Sequence, residues 1–313
     1  MEKQLLIACR NGNVEEVQTL LNDHPQINLN CQDKDDKDQT PFYIACYYGH
    51  IGIVKLLLNH QRVDINKPNR GGYTPLYIAC QERHREVVKL LINDERIDIN
   101  KGELSTDTSP LHIVSEIGDT EVMKLFLNDP RVNVNKTNQS QVTPFLIACY
   151  YGHTEVVKLL LNDQRVDVNL ALHDGETPLY LVCWNGFLDS AKYILASGRE
   201  INLNAKNYDG KTAIDIARVG QTEEKLIWES EENFEKRRKN CPKIVELLEL
   251  FERNPDTTRT KLRIQLGLAG KFYCLIYFFC NFFFSIDSFF FKKTLMLLLC
   301  IASLYFSVII TLA

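Results

Sequence analysis

The sequence predicts an all-α repeat solenoid: about seven helix-loop-helix units with β-hairpin or turn fingers between them, then C-terminal hydrophobic helices. Three observations carry this. The pairs Thr40-Pro41, Thr74-Pro75, Ser109-Pro110, Thr143-Pro144 and Thr177-Pro178 recur, and Thr212-Ala213 continues them, at steps of 34, 35, 34, 34 and 35 residues. A fixed period of this size marks a stack of equivalent supersecondary units. Ile-Ala-Cys or Leu-Val-Cys triplets, a following glycine and a Val-Lys-Leu-Leu run (54–57, 88–91, 157–160) share that period. Composition then breaks: ten of the 16 Phe lie in 272–313.

Each part of the unit has a mechanical reading. Thr or Ser caps a helix by accepting from an orphan backbone N–H, and Pro fits the first turn, where its missing N–H costs nothing. A short helix follows, such as 42–48, and Gly49 stops it, as Gly12, Gly118, Gly152 and Gly186 do elsewhere. A second helix starts near His50 with Val54, Leu57 and Leu58 on one face. An Arg-Val-Asp-Ile-Asn segment then reads as a strand leading into the next turn. Helices this short need their neighbours, so stability sums over repeat interfaces.

The stretches "TPLYIACQERHREVVKLLINDERIDIN" and "TPFLIACYYGHTEVVKLLLNDQRVDVN" resemble the ankyrin repeat, with its Thr-Pro-Leu-His-x-Ala signature. The resemblance covers roughly 4–252, within a solenoid domain placed at 1–252. Its first unit, near 4–37, lacks Thr-Pro, as a terminal cap does. The last starts at Thr212, with a first helix over 213–219 and a second over 243–252, after a charged insertion at about 221–241. The signature histidine survives only as His112; Tyr43, Tyr77, Tyr180 and Leu146 replace it. The finger glycine, kept as Gly72, Gly175 and Gly210, gives way to Asp38, Asp107 and Gln141, and Arg83 stands at an interhelix glycine position. These departures predict irregular fingers.

The resemblance implies binding of another protein through the concave face. By position, the exposed pairs at the first-helix ends are Arg10-Asn11, Tyr47-Tyr48, Gln81-Glu82, Glu116-Ile117, Tyr150-Tyr151 and Trp184-Asn185. Tyr47, Tyr48, Gln81, Glu82, Glu116, Tyr150, Tyr151, Trp184 and Asn185 are the candidate partner-binding residues. Tyr and Trp bury much area with few rotors, which suits them to anchor a partner. Packing against the neighbouring repeat's finger is the other reading of the same rings.

No catalytic residues, metal ligands, cofactor or small-molecule substrate are expected. No Cys-x-x-Cys, His-Glu-x-x-His, Gly-x-x-x-x-Gly-Lys or Gly-x-Ser-x-Gly pattern occurs. His50, His84 and His153 mark one helix start each, too dispersed for one metal. The net charge of −4 gives no basic face for nucleic acid. Cys9, Cys46, Cys80, Cys149 and Cys183 end successive triplets, and equivalent positions one repeat apart are too distant for a disulfide. They read as buried thiols in a reducing compartment. The recurrent Asp64-Ile65-Asn66 type pairs read as hydrogen-bonding residues of the fingers; asparagines so placed in ankyrin proteins can also be hydroxylase substrates. Lys236-Arg237-Arg238-Lys239 reads as a solvated helix face, with a nuclear address as the sharper alternative. The start, Met1-Glu2-Lys3-Gln4, has no apolar run resembling a signal peptide.

Residues 253–271 form a basic linker with Arg259, Lys261, Arg263 and Lys271. Residues 272–291 and 294–313 are apolar stretches, each about the 20 residues a bilayer helix needs. The second has no charge; the first holds Asn281 and Asp287. One membrane anchor or a two-helix hairpin fits, with the repeats facing the cytoplasm. Phe282–Phe284 and Phe289–Phe291 are also what T-rich noncoding DNA yields when translated, in which case the protein is cytoplasmic. The functional expectation is a non-catalytic scaffold held at a membrane; the alternative is the cytoplasmic sensor of an oligomeric channel or transport component.

Overall fold

The computed structural model describes residues 1–225 and 229–269. The predicted tail, 272–313, lies outside them. Residues Met1–Pro255 form one compact unit. It contains α1 (Glu2–Asn11) and α2 (Val14–Asp23), α3 (Pro41–Tyr47) and α4 (Ile51–Leu58), and α5 (Pro75–Gln81) and α6 (Arg85–Ile92). The pairs α7 (Pro110–Ile117) and α8 (Thr120–Leu127), α9 (Pro144–Tyr151) and α10 (Thr154–Asn162), and α11 (Pro178–Trp184) and α12 (Leu188–Ala196) follow. The last pair is α13 (Ala213–Thr222) and α14 (Glu231–Arg253). First helices pack on first helices from α1 to α13, and second helices on second helices from α2 to α14. In the second unit α15 (Pro255–Gln265) carries an Arg259–Asp256 ion pair at 3.3 Å. Among the described residues no helix is long and apolar enough to cross a membrane.

The caps behave as their chemistry dictates. Thr40, Thr74, Thr143 and Thr177 each accept from the backbone N–H three residues on, at 3.1–3.2 Å, with proline in the first turn. In each pair both helices bury apolar side chains, as with Leu76, Ile78 and Cys80 against Val87, Val88 and Leu91. Burying one such side chain contributes about 1.5–3 kcal/mol, which is what makes seven-residue helices stable.

The segment predicted as a strand is a turn. Among the described residues there is no strand, only one bridge between Asp33 and Gln39. Its polar side chains are spent on the backbone, which removes the ladder. Asp64 accepts from Asn66 N–H at 3.1 Å, and the asparagine crosses to the next repeat. Asn30, Asn66, Asn100, Asn135 and Asn169 each donate from Nδ2 to a carbonyl there, at 2.7–2.8 Å. Each also accepts at Oδ1 from a backbone N–H two residues further on, at 2.7–3.0 Å. Beside this ladder runs another. Arg96, Arg131 and Arg165 donate to the carbonyls of Leu58, Ile92 and Leu127, the last residues of α4, α6 and α8.

The left-handed turn is kept where the glycines are missing, although the fingers closed by Asp33 N–H to Gln39 O and by Glu103 N–H to Thr108 O are longer than the others. Asp38, Asp107, Gln141 and Arg83 all hold left-handed backbone, with φ of 57, 57, 59 and 61°. The repeat keeps the conformation and bears the strain of a Cβ there. At the finger turns Asn69, Asn138 and Asn207 accept two backbone N–H groups each. Glu103 does the equivalent work in its finger, accepting from Ser105 and Thr106, both backbone and hydroxyl. Burial raises the Glu103 carboxyl; these hydrogen bonds outweigh it and bring it down to about 2.

The final repeat differs from expectation. Its second helix begins at Glu231, not 243, so much of the supposed insertion is helical and Pro242 lies inside α14. Ser230 caps it, accepting from Asn233 N–H at 3.2 Å. Arg237, read as part of a solvated basic run, is 2% exposed. Its guanidinium forks onto Glu229 at 2.9 and 2.8 Å and donates to the carbonyls of Gly220 and Glu224. Asn240 donates to Gly186 O at 3.0 Å, and the Cys241 thiol reaches Cys183 O at 3.6 Å. These three anchors precede Pro242 and hold the first half of the helix in place.

Candidate partner-binding face

The first helices end by turning their last two side chains outward. In α3 residues Phe42–Cys46 are buried, Tyr47 is half-buried and Tyr48 is 44% exposed. In the fifth repeat Tyr150 and Tyr151 are 51% and 47% exposed. The tyrosines of each pair meet edge to face, with ring centres 4.9 Å apart for Tyr47–Tyr48 and 5.2 Å for Tyr150–Tyr151. Tyr48 stacks on His50 and Tyr151 on His153. Each histidine is itself pinned: Nε2 of His50, His84 and His153 donates to the carbonyls of Arg10, Tyr47 and Glu116 at 3.1, 2.9 and 2.7 Å. The repeated histidines are therefore inter-repeat braces. Among the described residues no cluster of His, Cys, Asp and Glu is built to hold a metal ion.

Two grooves gather the predicted residues. A wide one of about 1300 Å³ is lined by Tyr47, Tyr48, Gln81, Glu82, Glu116 and Tyr151, together with finger residues such as Asn69 and Arg70. A smaller one of about 210 Å³ is lined by Tyr150, Tyr151, Trp184 and Asn185. Tyr151 belongs to both. Its hydroxyl donates to Glu116 Oε1 at 3.2 Å, and burial followed by the Glu116 charge raises its pKa. Asn185 is partly committed, donating to Leu181 O at 3.0 Å and Tyr150 O at 3.4 Å.

Sequence reasoning missed several lining residues. Tyr73, Phe187, Glu229 and Asn233 line the grooves. Leu104 and Tyr208 are 72% and 73% exposed. Leu104 lies in the turn that Glu103 organises, and Tyr208 in the finger of Asn207, where its hydroxyl meets His173 Nδ1 at 2.8 Å. A large apolar residue inside a polar turn was the available signal.

The tyrosines that replace the signature histidine are not free anchors. Tyr43 and Tyr180 are buried, and their hydroxyls accept from Asn69 and Asn207 at 3.2 and 3.1 Å. His112, which keeps the signature, closes a capping box with Ser109 and donates from Nε2 to Val142 O at 3.0 Å. Burial lowers its pKa to about 4. Burial likewise pushes the triplet thiols up, Cys9 to about 12, and keeps them protonated. Among the described residues seven cysteines are free and buried.

Stacked helix pairs joined by turn fingers define an all-α repeat solenoid. A sequence profile described as "Ankyrin repeats (3 copies)" matches residues 5–103 and 111–207, more than half of the chain, and the chain belongs to the ankyrin repeat family. Domains of this family are protein–protein interaction scaffolds. The ankyrin repeat domain of Bcl-3, a member of the IkappaB protein family, is similar in fold. It has a TM-score of 0.62 and 22% identity, and the match covers 68% of this chain and 92% of that one. The human ASB11 ankyrin repeat domain is also similar, at TM-score 0.55 and 25% identity over 74% and 96% of the two chains. Human oxysterol-binding protein-related protein 1 is 41% identical over 63 residues, 18% of this chain and 7% of that protein's length.

Proposed function

We propose that the protein is a non-catalytic scaffold that binds a protein partner across the concave face of its ankyrin stack. One observation carries this reading: all nine candidate residues line two grooves that share Tyr151. The test uses the full chain with Tyr150→Ala and Tyr151→Ala together. A partner captured by cross-linking and then purified should lose at least about tenfold in affinity, the scale of a lost aromatic hot spot. Unchanged affinity defeats the reading, provided the variant unfolds at the parent's urea midpoint.

Attachment to a membrane through 272–313 belongs to the same proposal and rests on the two apolar stretches in the sequence. Native full-length protein should stay with membranes through alkaline extraction, whereas a version ending at residue 271 should not. Release of the full chain removes the anchor.

A further inference from the structure

The wide groove begins and ends on the same piece of sequence. Residues 40–50 read TPFYIACYYGH and residues 143–153 read TPFLIACYYGH, identical at every position except Tyr43 and Leu146. The two corners also share their geometry. Tyr47–Tyr48 and Tyr150–Tyr151 meet edge to face at 80 and 88°, and Tyr48 and Tyr151 stack on His50 and His153 at 22 and 19°. Tyr48 and Tyr151 are 44% and 47% exposed, and both line the groove. The first-helix ends between them carry Gln81-Glu82 and Glu116-Ile117, without a ring. One surface is thus offered twice, three repeats apart.

The span follows from the stack. The helices α3, α5, α7 and α9 pack in succession, and packed helices lie about 8–10 Å apart, so the corners stand about 24–30 Å from each other. Spread over that length, the groove's volume of about 1300 Å³ gives a mean section of roughly 45–55 Å², about half that of a helix with side chains. A helix therefore seats at most half its girth. A β-strand draws its affinity from pairing with a sheet edge, and among the described residues there is no strand. A polyproline II segment needs no such pairing, because it has no internal hydrogen bonds and its prolines carry no N–H. It rises about 3.1 Å per residue with three residues per turn, so residues i and i+9 share a face about 28 Å apart. That distance matches the corners.

The floor of the groove suits the same guest. Tyr73 and Tyr77 add a pair of rings between the corners, with centres 5.0 Å apart. Tyr77 holds the position at which Tyr43 and Tyr180 meet a finger asparagine. Its own finger has Glu103 there, spent on Ser105 and Thr106, and the Tyr77 hydroxyl has no hydrogen-bond partner among the described residues. It remains as a donor to a backbone carbonyl, the one polar group that a run of prolines presents.

We infer that the wide groove binds a proline-rich segment of the protein partner, about ten residues in polyproline II form, with one end on the Tyr48 corner and the other on the Tyr151 corner. The inference rests on the reading of this face as the partner-binding face and names the kind of segment it takes.

The test is fluorescence anisotropy of labelled peptides titrated with the full chain. Twelve prolines extend about 37 Å and reach both corners, whereas six extend about 19 Å and reach one. The dodecamer should bind at least about tenfold tighter than the hexamer, as two linked contacts do, and a Gly-Ser dodecamer should not bind. Tyr48→Ala and Tyr151→Ala, at the parent's urea midpoint, should each bring the proline dodecamer down to the hexamer's affinity. Tyr208→Ala, on a finger outside the groove, should leave it within about twofold. A proline dodecamer that fails to bind, binds no tighter than the hexamer, or is matched by the Gly-Ser peptide overturns the inference. So does unchanged binding by both groove variants. If a captured partner loses affinity on Tyr150→Ala with Tyr151→Ala while the proline dodecamer stays unbound, the scaffold reading stands and this inference alone fails.

Discussion

His84 donates from Nε2 to the carbonyl oxygen of Tyr47 at 2.9 Å, and its ring stands 2.5 Å from where a side chain on Gly49 would begin. The glycine thus does two things. It supplies left-handed backbone at φ 72°, and it leaves room for the brace from the next repeat. Gly49→Ala should cost about 2–4 kcal/mol, the sum of αL strain and a displaced histidine. Urea unfolding measures it. A loss below about 1 kcal/mol would show that the ring moves aside freely.

Arg83 occupies the corresponding turn at φ 61°, and the residue that starts the next second helix is Asp119 rather than histidine. Arg83→Gly should therefore stabilise the protein by about 1 kcal/mol, the αL strain less the added freedom of the unfolded chain. The same urea series checks it, and a loss would mean that the Arg83 side chain holds the turn.

Asn100 spans two repeats, donating to Arg131 O at 2.7 Å and accepting from Asn133 N–H at 2.8 Å. Asn100→Ala removes both bonds and should cost about 2–3 kcal/mol. Asn100→Asp keeps the acceptor and loses the donor, so its penalty at pH 7 should fall between alanine and wild type. Equal penalties would mean that the retained acceptor contributes nothing.

The buried His112 gives stability a pH dependence. Its pKa falls from the ordinary 6.5 to about 4 in the folded chain. Between those values the unfolded chain takes up a proton that the folded chain refuses. Stability is full above about pH 6.5 and drops as pH falls towards 4, by up to about 3 kcal/mol. His112→Tyr should abolish that slope. Tyr43 and Tyr180 show that a hydroxyl here reaches an asparagine, and Asn138 holds the equivalent finger place. Unfolding curves between pH 4 and 7 for both proteins decide it.

Arg237 and Arg238 are neighbours in a basic run but differ in burial. Arg237→Ala removes a buried guanidinium and its fork onto Glu229 and should cost about 3–5 kcal/mol. Arg238→Ala should stay within about 0.5 kcal/mol. Similar effects from both would restore the picture of a solvated face.

The fold was legible because its signals are local and repeated. Thr-Pro caps, glycine stops and apolar faces act within one unit, and each repetition strengthens the reading. What failed depended on distance or on backbone conformation. The Asp-Ile-Asn segment alternates like a strand, yet Asn66 bonds to residues 96 and 98, about one repeat away. Asp38, Asp107 and Gln141 read as broken fingers because a residue type does not reveal φ. Arg237 was misread because its partner Glu229 lies eight residues back in a polar stretch, and Pro242 reads locally as a stop. The candidate residues were found by position within the unit. The carboxylate at 229 had no counterpart in other repeats to point to it.

The asparagine ladder carries one more implication. Each rung offers the same donor and the same acceptor to the same place in the following unit, so a unit does not distinguish its natural neighbour from any other interior one. Removing residues 101–135 joins Asn100 to the backbone that Asn135 now serves, at Arg165 and Asp167. The interior units are in that sense interchangeable cassettes. The array can lengthen or shorten by whole steps within one gene, while the aromatic rings carried at the ends of the first helices change their spacing in the same increments.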